Sequence, residues 1–461
     1  MSEVVSKEAI ANEEESGNQD ATISAERGPM IPALLPHELY PPDQGLRAWI
    51  SVFGAFCGVM ASFGYTNIMG VFQEYYEVHQ LAEYSPSTIS WISSLQIFIL
   101  TFGAVVVGPL FDIFGPKPLI LPGVVFMAVG VMTTSVCTQY YQFILAQGLC
   151  TSIGSSLIFT TCITSVSTWF RAKRGAALGI TTSGAALGGT IMPFIFRAVS
   201  ESSGFGWAAR SLGFLTLALG LIAWACVTSR IRPKSWHRGS DSINEEDTVK
   251  NNPTFRQLYV SPFSSMSFSL LTASVFCVYL GAYVPLNYLP SYARDKVGFS
   301  SKVAGYLPSI QNGATTLGRI IPAIWADKVG RFNIFIVASS LAGVFSLAMW
   351  VPAHTKASVI AYGAVYGFTS GPTTSIWMAM LAEISPVQNI GARFGVCSAI
   401  VSIAALTGSP ISGALLGSNR QHYYAMAIFS GVLVLAAAGL AFASKLAYIR
   451  AKKITPVSTK N

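Results

Sequence analysis

Apolar runs of about twenty residues or more follow one another through most of this chain, with only short polar joints between them. A helix of that length crosses ~30 Å of hydrocarbon, and in lipid the backbone has to satisfy its own hydrogen bonds. The runs fall at 48–72, 87–110, 118–137, 141–169, 176–199, 206–228, 264–290, 303–326, 333–352, 357–381, 395–417 and 422–446. They predict an all-α membrane protein with twelve transmembrane helices. The seventh run is the least regular, because Pro285 and Pro290 interrupt it.

Composition narrows the function classes. The chain is 52% hydrophobic and 11% charged, where soluble domains carry about a quarter charged residues. A net charge of +8 would suggest nucleic acid in a soluble protein. Here it reads as loop charge beside a membrane, so the expected partners are the lipid bilayer and a small molecule, with no nucleic acid. The seven cysteines stand singly and the five histidines lie in joints or at run edges, so neither metal, cofactor nor disulfide framework is expected. No phosphate-binding G-x-x-x-x-G-K-[ST] occurs, which leaves ATP-driven pumping unsupported. A membrane enzyme would need a His, Cys or carboxylate cluster at membrane depth; none is found, and the chain is read as no enzyme.

Residues 1–47 are polar and acidic and read as a disordered cytosolic tail. A polar joint at 229–263 divides the rest into six-helix bundles at 48–228 and 264–446, followed by a second tail at 447–461. Among the lysines and arginines, only Arg197, Arg210, Arg294, Lys296, Lys302, Lys356 and Arg420 fall on one side. All the others except Arg319 fall on the side of the termini, which places both termini in the cytosol. A monomer in the plasma membrane is the expectation.

The halves repeat. G-P-L-F-D-I-F-G-P-K-P (108–118) follows the second run, and A-I-W-A-D-K-V-G-R-F (323–332) follows the eighth. Two such pseudo-repeats around a central cavity are how many carriers alternate their access. The candidate gate comprises Gly108, Asp112, Gly115 and Lys117 in one half and Asp327, Gly330 and Arg331 in the other.

An aspartate, a glycine three residues on and a nearby basic residue resemble the loop signature of the major facilitator superfamily. D-Q-G-L-R-A-W (43–49) and S-T-W-F-R-A-K-R-G-A-A-L-G-I-T-T-S-G-A-A-L-G-G (167–189) are similar to the paired signatures of its monocarboxylate-transporter branch, especially fungal members. The resemblance runs from about residue 43 to 445. It implies alternating access, with the loop aspartates as an inside gate. The second stretch also has a direct reading: Gly175 and Gly179, then Gly184 and Gly188, sit four apart and let a neighbouring helix approach. Arg171, Lys173 and Arg174 read as an anchor at the cytosolic surface.

Arg319 is the one charge within a predicted span. Burying an arginine there costs roughly 2.5–3.5 kcal/mol on insertion scales, so it is expected to face the cavity. The resemblance implies that an arginine at this place binds a substrate carboxylate. The chain departs from proton-coupled lactate carriers at Thr315, where they carry an aspartate, and at Asn67, where they carry a lysine. Other substrate-contact candidates are Tyr65, Asn67, Asn287, Tyr288, Asn312, Thr373 and Trp377, polar or aromatic residues in apolar surroundings. The resulting expectation is a secondary transporter of a small organic molecule, an organic anion or carboxylated secondary metabolite, leaning to efflux. The alternatives are uptake of a monocarboxylate or vitamin-like nutrient, and a non-transporting sensor.

Overall fold

The computed structural model describes residues 43, 45–230, 256–386, 389–416 and 423–454. The expected tails, apart from residues 43, 45–47 and 447–454, and residues 231–255 of the middle joint lie outside the described residues. The described chain is helical throughout and holds no strand.

We number the long helices α1 (Leu46–Val78), α2 (Thr88–Phe114), α3 (Lys117–Thr134), α4 (Tyr140–Trp169), α5 (Arg174–Cys226) and α6 (Met266–Val297). They continue as α7 (Leu307–Val329), α8 (Arg331–Trp350), α9 (Lys356–Glu383), α10 (Ile390–Leu416) and α11 (Tyr423–Ala451). Nine of them, among the described residues, are long and apolar enough to cross a membrane; α7 and α9 are long enough but more polar.

The polarity of α7 has a physical cause. Its buried face carries Gln311, Asn312, Thr315, Gly318 and Arg319. Leu317, Ile321, Ile324 and Trp325 point outward and are exposed. In water this would be an inverted helix; in lipid the apolar face is the outer one. The same holds for exposed Trp91, Phe126, Phe214 and Phe442 elsewhere.

Of two expected breaks, one is present and one is absent. Helical structure passes from the run at 176–199 to that at 206–228 with one interruption, the non-helical backbone of Gly204, so α5, 53 residues in all, is two helices meeting at a kink. At 1.5 Å per residue a straight helix of that length would measure ~80 Å, far beyond a bilayer. Gly204 turns the chain with φ 83° and ψ 172°, a region that a residue with a Cβ rarely adopts. The seventh run, by contrast, does not break: α6 continues through Pro285 and Pro290 to Val297. A proline removes one ladder bond, and packed neighbours hold the rest of the helix.

Within the first half, α5 packs on α1 and α3, and α3 on α4; within the second, α6 and α8 pack on α11, and α7 on α9. The two most extensive pairings between the halves are α5 with α7 and α2 with α10. These two seams position everything that follows.

Candidate functional site

The repeated aspartates lie at the seams. The Asp327 carboxylate accepts the N–H of Gly175 and of Ala176, both at 2.8 Å, at the first turn of α5. Asp112 accepts the N–H of Ala392 at 3.1 Å, at the first turn of α10. Each carboxylate thus caps a helix of the opposite half, where unpaired N–H groups and the helix dipole favour a negative charge. Gly115 and Gly330 end the helices beneath them with φ 77° and 105°. Gly108 lets α10 close in, because a Cβ there would meet the Gly391 carbonyl oxygen.

Arg331 extends one of the two caps. It pairs with Asp327 and Glu383, each at 3.1 Å, and donates to the carbonyl oxygens of Arg171 and Ala172 across the seam. Lys117, at the corresponding place in the first half, lies instead over the Trp224 ring at 5.6 Å, within its own half.

The turn that receives Arg331 is held from a third direction. Asp43 accepts the N–H groups of Arg171, Ala172 and Lys173 at 2.6, 3.0 and 3.2 Å. Trp49 meets Phe170 edge-on at 5.2 Å. The two stretches at 43–49 and 167–189 are therefore one structural unit. Arg174 departs from its expected surface role: it is buried, and its Nε donates to the Phe170 carbonyl at 2.8 Å.

The glycines of α5 serve two faces. Gly175 and Gly179 face α7, where a Cβ would strike Asp327, Ala323 or the Arg319 carbonyl. Gly184 and Gly188 face α1, against Phe56, Met60 and Gly64. One pair packs α5 within its half; the other lets the halves meet.

Arg319 sits midway along the α5–α7 seam, 8% exposed. Its Nη1 donates to the Thr182 carbonyl, and its Nε has no partner among the described residues. It lines a small cavity with Val59, Phe63, Phe159, Thr182, Ala185, Tyr279, Tyr283, Thr374 and Met378. The volume is about 10 Å³, room for roughly one water. These residues come from α1, α4 and α5 on one side and α6, α7 and α9 on the other. Beyond Arg319 the seam closes again: Phe194 stacks on Tyr306 at 5.6 Å, and the Arg197 guanidinium lies 5.7 Å from the same ring.

The remaining candidates divide. Asn67 and Asn312 come together at Gly189, and Asn67 donates to the Ala185 carbonyl at 3.0 Å. Trp377 stacks on Phe394 at 5.4 Å and meets Tyr279, a cavity residue, edge-on at 6.3 Å. Tyr65 turns into the first half, where its hydroxyl accepts from Gln147, which also accepts from Tyr76. Thr373 is buried and donates to the Ser370 carbonyl of its own helix. Tyr288 lies toward Gly413 of α10, and Asn287 is exposed. Tyr279 and Tyr283 were missed, although tyrosines four apart in an apolar run share one helix face.

Long apolar helices, with a charged residue enclosed between two halves, make this an integral, multi-pass membrane protein. The chain matches the model of the Major Facilitator Superfamily over residues 54–366 and 271–457. It is 41% identical over 393 residues to an MFS-type transporter of Gibberella moniliformis, covering 85% of this chain and 89% of the relative. It is 37% identical over 418 residues to the fujikurins efflux protein of Gibberella fujikuroi, covering 91% and 86%. The aspyridones efflux protein of Emericella nidulans is 36% identical over 407 residues, covering 88% and 79%. Among solved structures, a proton:xylose symporter bound to 6-bromo-6-deoxy-D-glucose superposes with a TM-score of 0.69 at 14% identity, covering 86% of this chain and 95% of that one. The human organic anion transporter TETRAN gives 0.65 at 13% identity, covering 88% and 100%. The chain belongs to the Major Facilitator Superfamily. It is a secondary transporter, embedded in the membrane by many helices.

Proposed function

We propose that this transporter exports an organic anion, a carboxylated secondary metabolite, by alternating access across the plasma membrane. The observation that carries the reading is Arg319: a buried cation at the centre of an otherwise apolar and aromatic cavity, with one N–H unpartnered. No carboxylate is among the residues lining that cavity. A buried charge without a counter-charge is costly, and an anionic substrate supplies the missing partner. Fungal relatives named for efflux of fujikurins and aspyridones support the direction and the substrate class.

The same reading takes the bend at Gly204 as the turn between two spans, and α7 and α9 as spans with polar inner faces. That makes twelve, in two pseudo-repeats of six, consistent with a place in the monocarboxylate-porter branch and with both termini in the cytosol. Asp112 and Asp327, each capping a helix of the opposite half, support a role as the inside gate.

The test is flux of labelled aromatic and aliphatic carboxylates in proteoliposomes holding the full chain. Arg319→Gln should abolish saturable transport at normal protein abundance, and unaffected flux would dismiss the substrate role. Direction is tested by comparing metabolites in the medium and in cells after gene deletion; accumulation in the medium of the deletant would reverse it.

A further inference from the structure

Arg319 is not the only unsatisfied donor on the inner face of α7. Asn312 is 5% exposed, and its Nδ2 has no hydrogen-bond partner among the described residues. An enclosed N–H without an acceptor is destabilising in the closed form, so its retention calls for a state in which an acceptor arrives. The two residues are seven apart, two helical turns, which places them on nearly the same face and ~10 Å apart along the axis.

Both face α5 across the seam between the halves. Arg319 reaches the carbonyl of Thr182, while the Asn312 amide lies against Gly189, where a Cβ would come within 2.8 Å of its Nδ2. Asn67 of α1 reaches the same glycine from the other side and is tethered to Ala185. Gly189, lacking a Cβ, lets the two side-chain amides pack against its backbone, with no room even for a methyl group in this closed form. Neither amide is charged: once the seam parts they suit a neutral acceptor, a carbonyl or hydroxyl oxygen, rather than a second carboxylate.

We infer that the substrate is held at two points, its anionic group at Arg319 and a neutral oxygen acceptor ~10 Å away at the Asn312–Asn67 amides. This rests on the anion reading above and adds a length and a second functional group to it. A plain carboxylate satisfies one donor; a molecule carrying a neutral oxygen two helical turns further along satisfies both. An oxygen close to the carboxylate cannot reach the amides.

Three acids of equal chain length separate these cases: decanoate, 3-hydroxydecanoate and 10-hydroxydecanoate, titrated against the purified full chain by equilibrium binding. The wild type should bind the 10-hydroxy acid about fivefold tighter than either other acid, the scale of one neutral hydrogen bond. Asn312→Leu, which keeps the γ-branched shape but removes the amide, should erase the difference between the three, and Asn67→Ala should reduce it. Arg319→Gln should weaken all three. Equal affinities in the wild type, or a preference that survives Asn312→Leu, overturn the two-point reading and leave the anion reading standing. Failure of all three acids to bind the wild type overturns the anion reading and this one with it.

Discussion

The Asp327 carboxylate closes on the backbone of Gly175, its Oδ1 2.8 Å from the glycine N–H. The contact crosses from the second half of the chain to the first, and it is possible because residue 175 has no Cβ to hold the carboxylate away. Asp112 makes the equivalent contact in the reverse direction, to Ala392.

Asp327→Asn preserves shape and removes the charge. Charge-assisted hydrogen bonds are about twice as strong as neutral ones, so the closed end is weakened without a new clash. Turnover should fall about tenfold while KM changes less than threefold, read from initial rates of exchange. Asp112→Asn should behave alike. A change confined to affinity would remove both residues from the gate.

Arg331→Lys should cost as much turnover as loss of the aspartate. Arg331 joins Asp327, Glu383 and two backbone carbonyls at once, and a lysine ammonium cannot present that fork. Glu383→Gln should cost less, since that carboxylate is 34% exposed. The ranking of the two rates is the check.

Gly179→Ala and Gly184→Ala should fail differently. At 179 the new methyl meets the Arg319 carbonyl and Ala323, so the halves cannot close while each remains folded. At 184 it meets Phe56 and Met60 inside one half. Transport should be lost in the first with the thermal midpoint near wild type, whereas the second should lower the midpoint by several degrees. Equal midpoints would contradict the two-face reading of α5.

Flux of a permanently neutral substrate analogue should be indifferent to an imposed pH gradient. No Asp, Glu or His lines the cavity around Arg319, and the positions of the lactate carriers' proton-linked residues hold Thr315 and Asn67. Accumulation that tracks the gradient, and collapses with a protonophore, would overturn this.

What was legible in the sequence follows the physics of each signal. Helix positions were readable because lipid demands long apolar runs, and the aspartates were readable because the motif occurs twice. That the motif caps opposing helices was not legible, since its acceptors are backbone N–H groups, which every residue but proline carries. The glycines of α5 were visible, but a four-residue spacing does not say which neighbour each pair faces. That Tyr65 bonds within the first half was not legible, because polarity in an apolar run marks an interior side without saying which one. Gln147, its partner, lies 82 positions away. Arg174 misled in the opposite sense: a charge in a basic cluster turned inward to a carbonyl of its own turn.

The cavity at Arg319 has a consequence for the cargo itself. With space for about one water, it cannot admit a molecule of several carbons while α5 and α7 stay packed. Loading therefore means giving up contacts that Arg319 and Arg331 make across that seam. A molecule that replaces them poorly leaves the two halves together, so discrimination between cargoes begins with the parting of the seam.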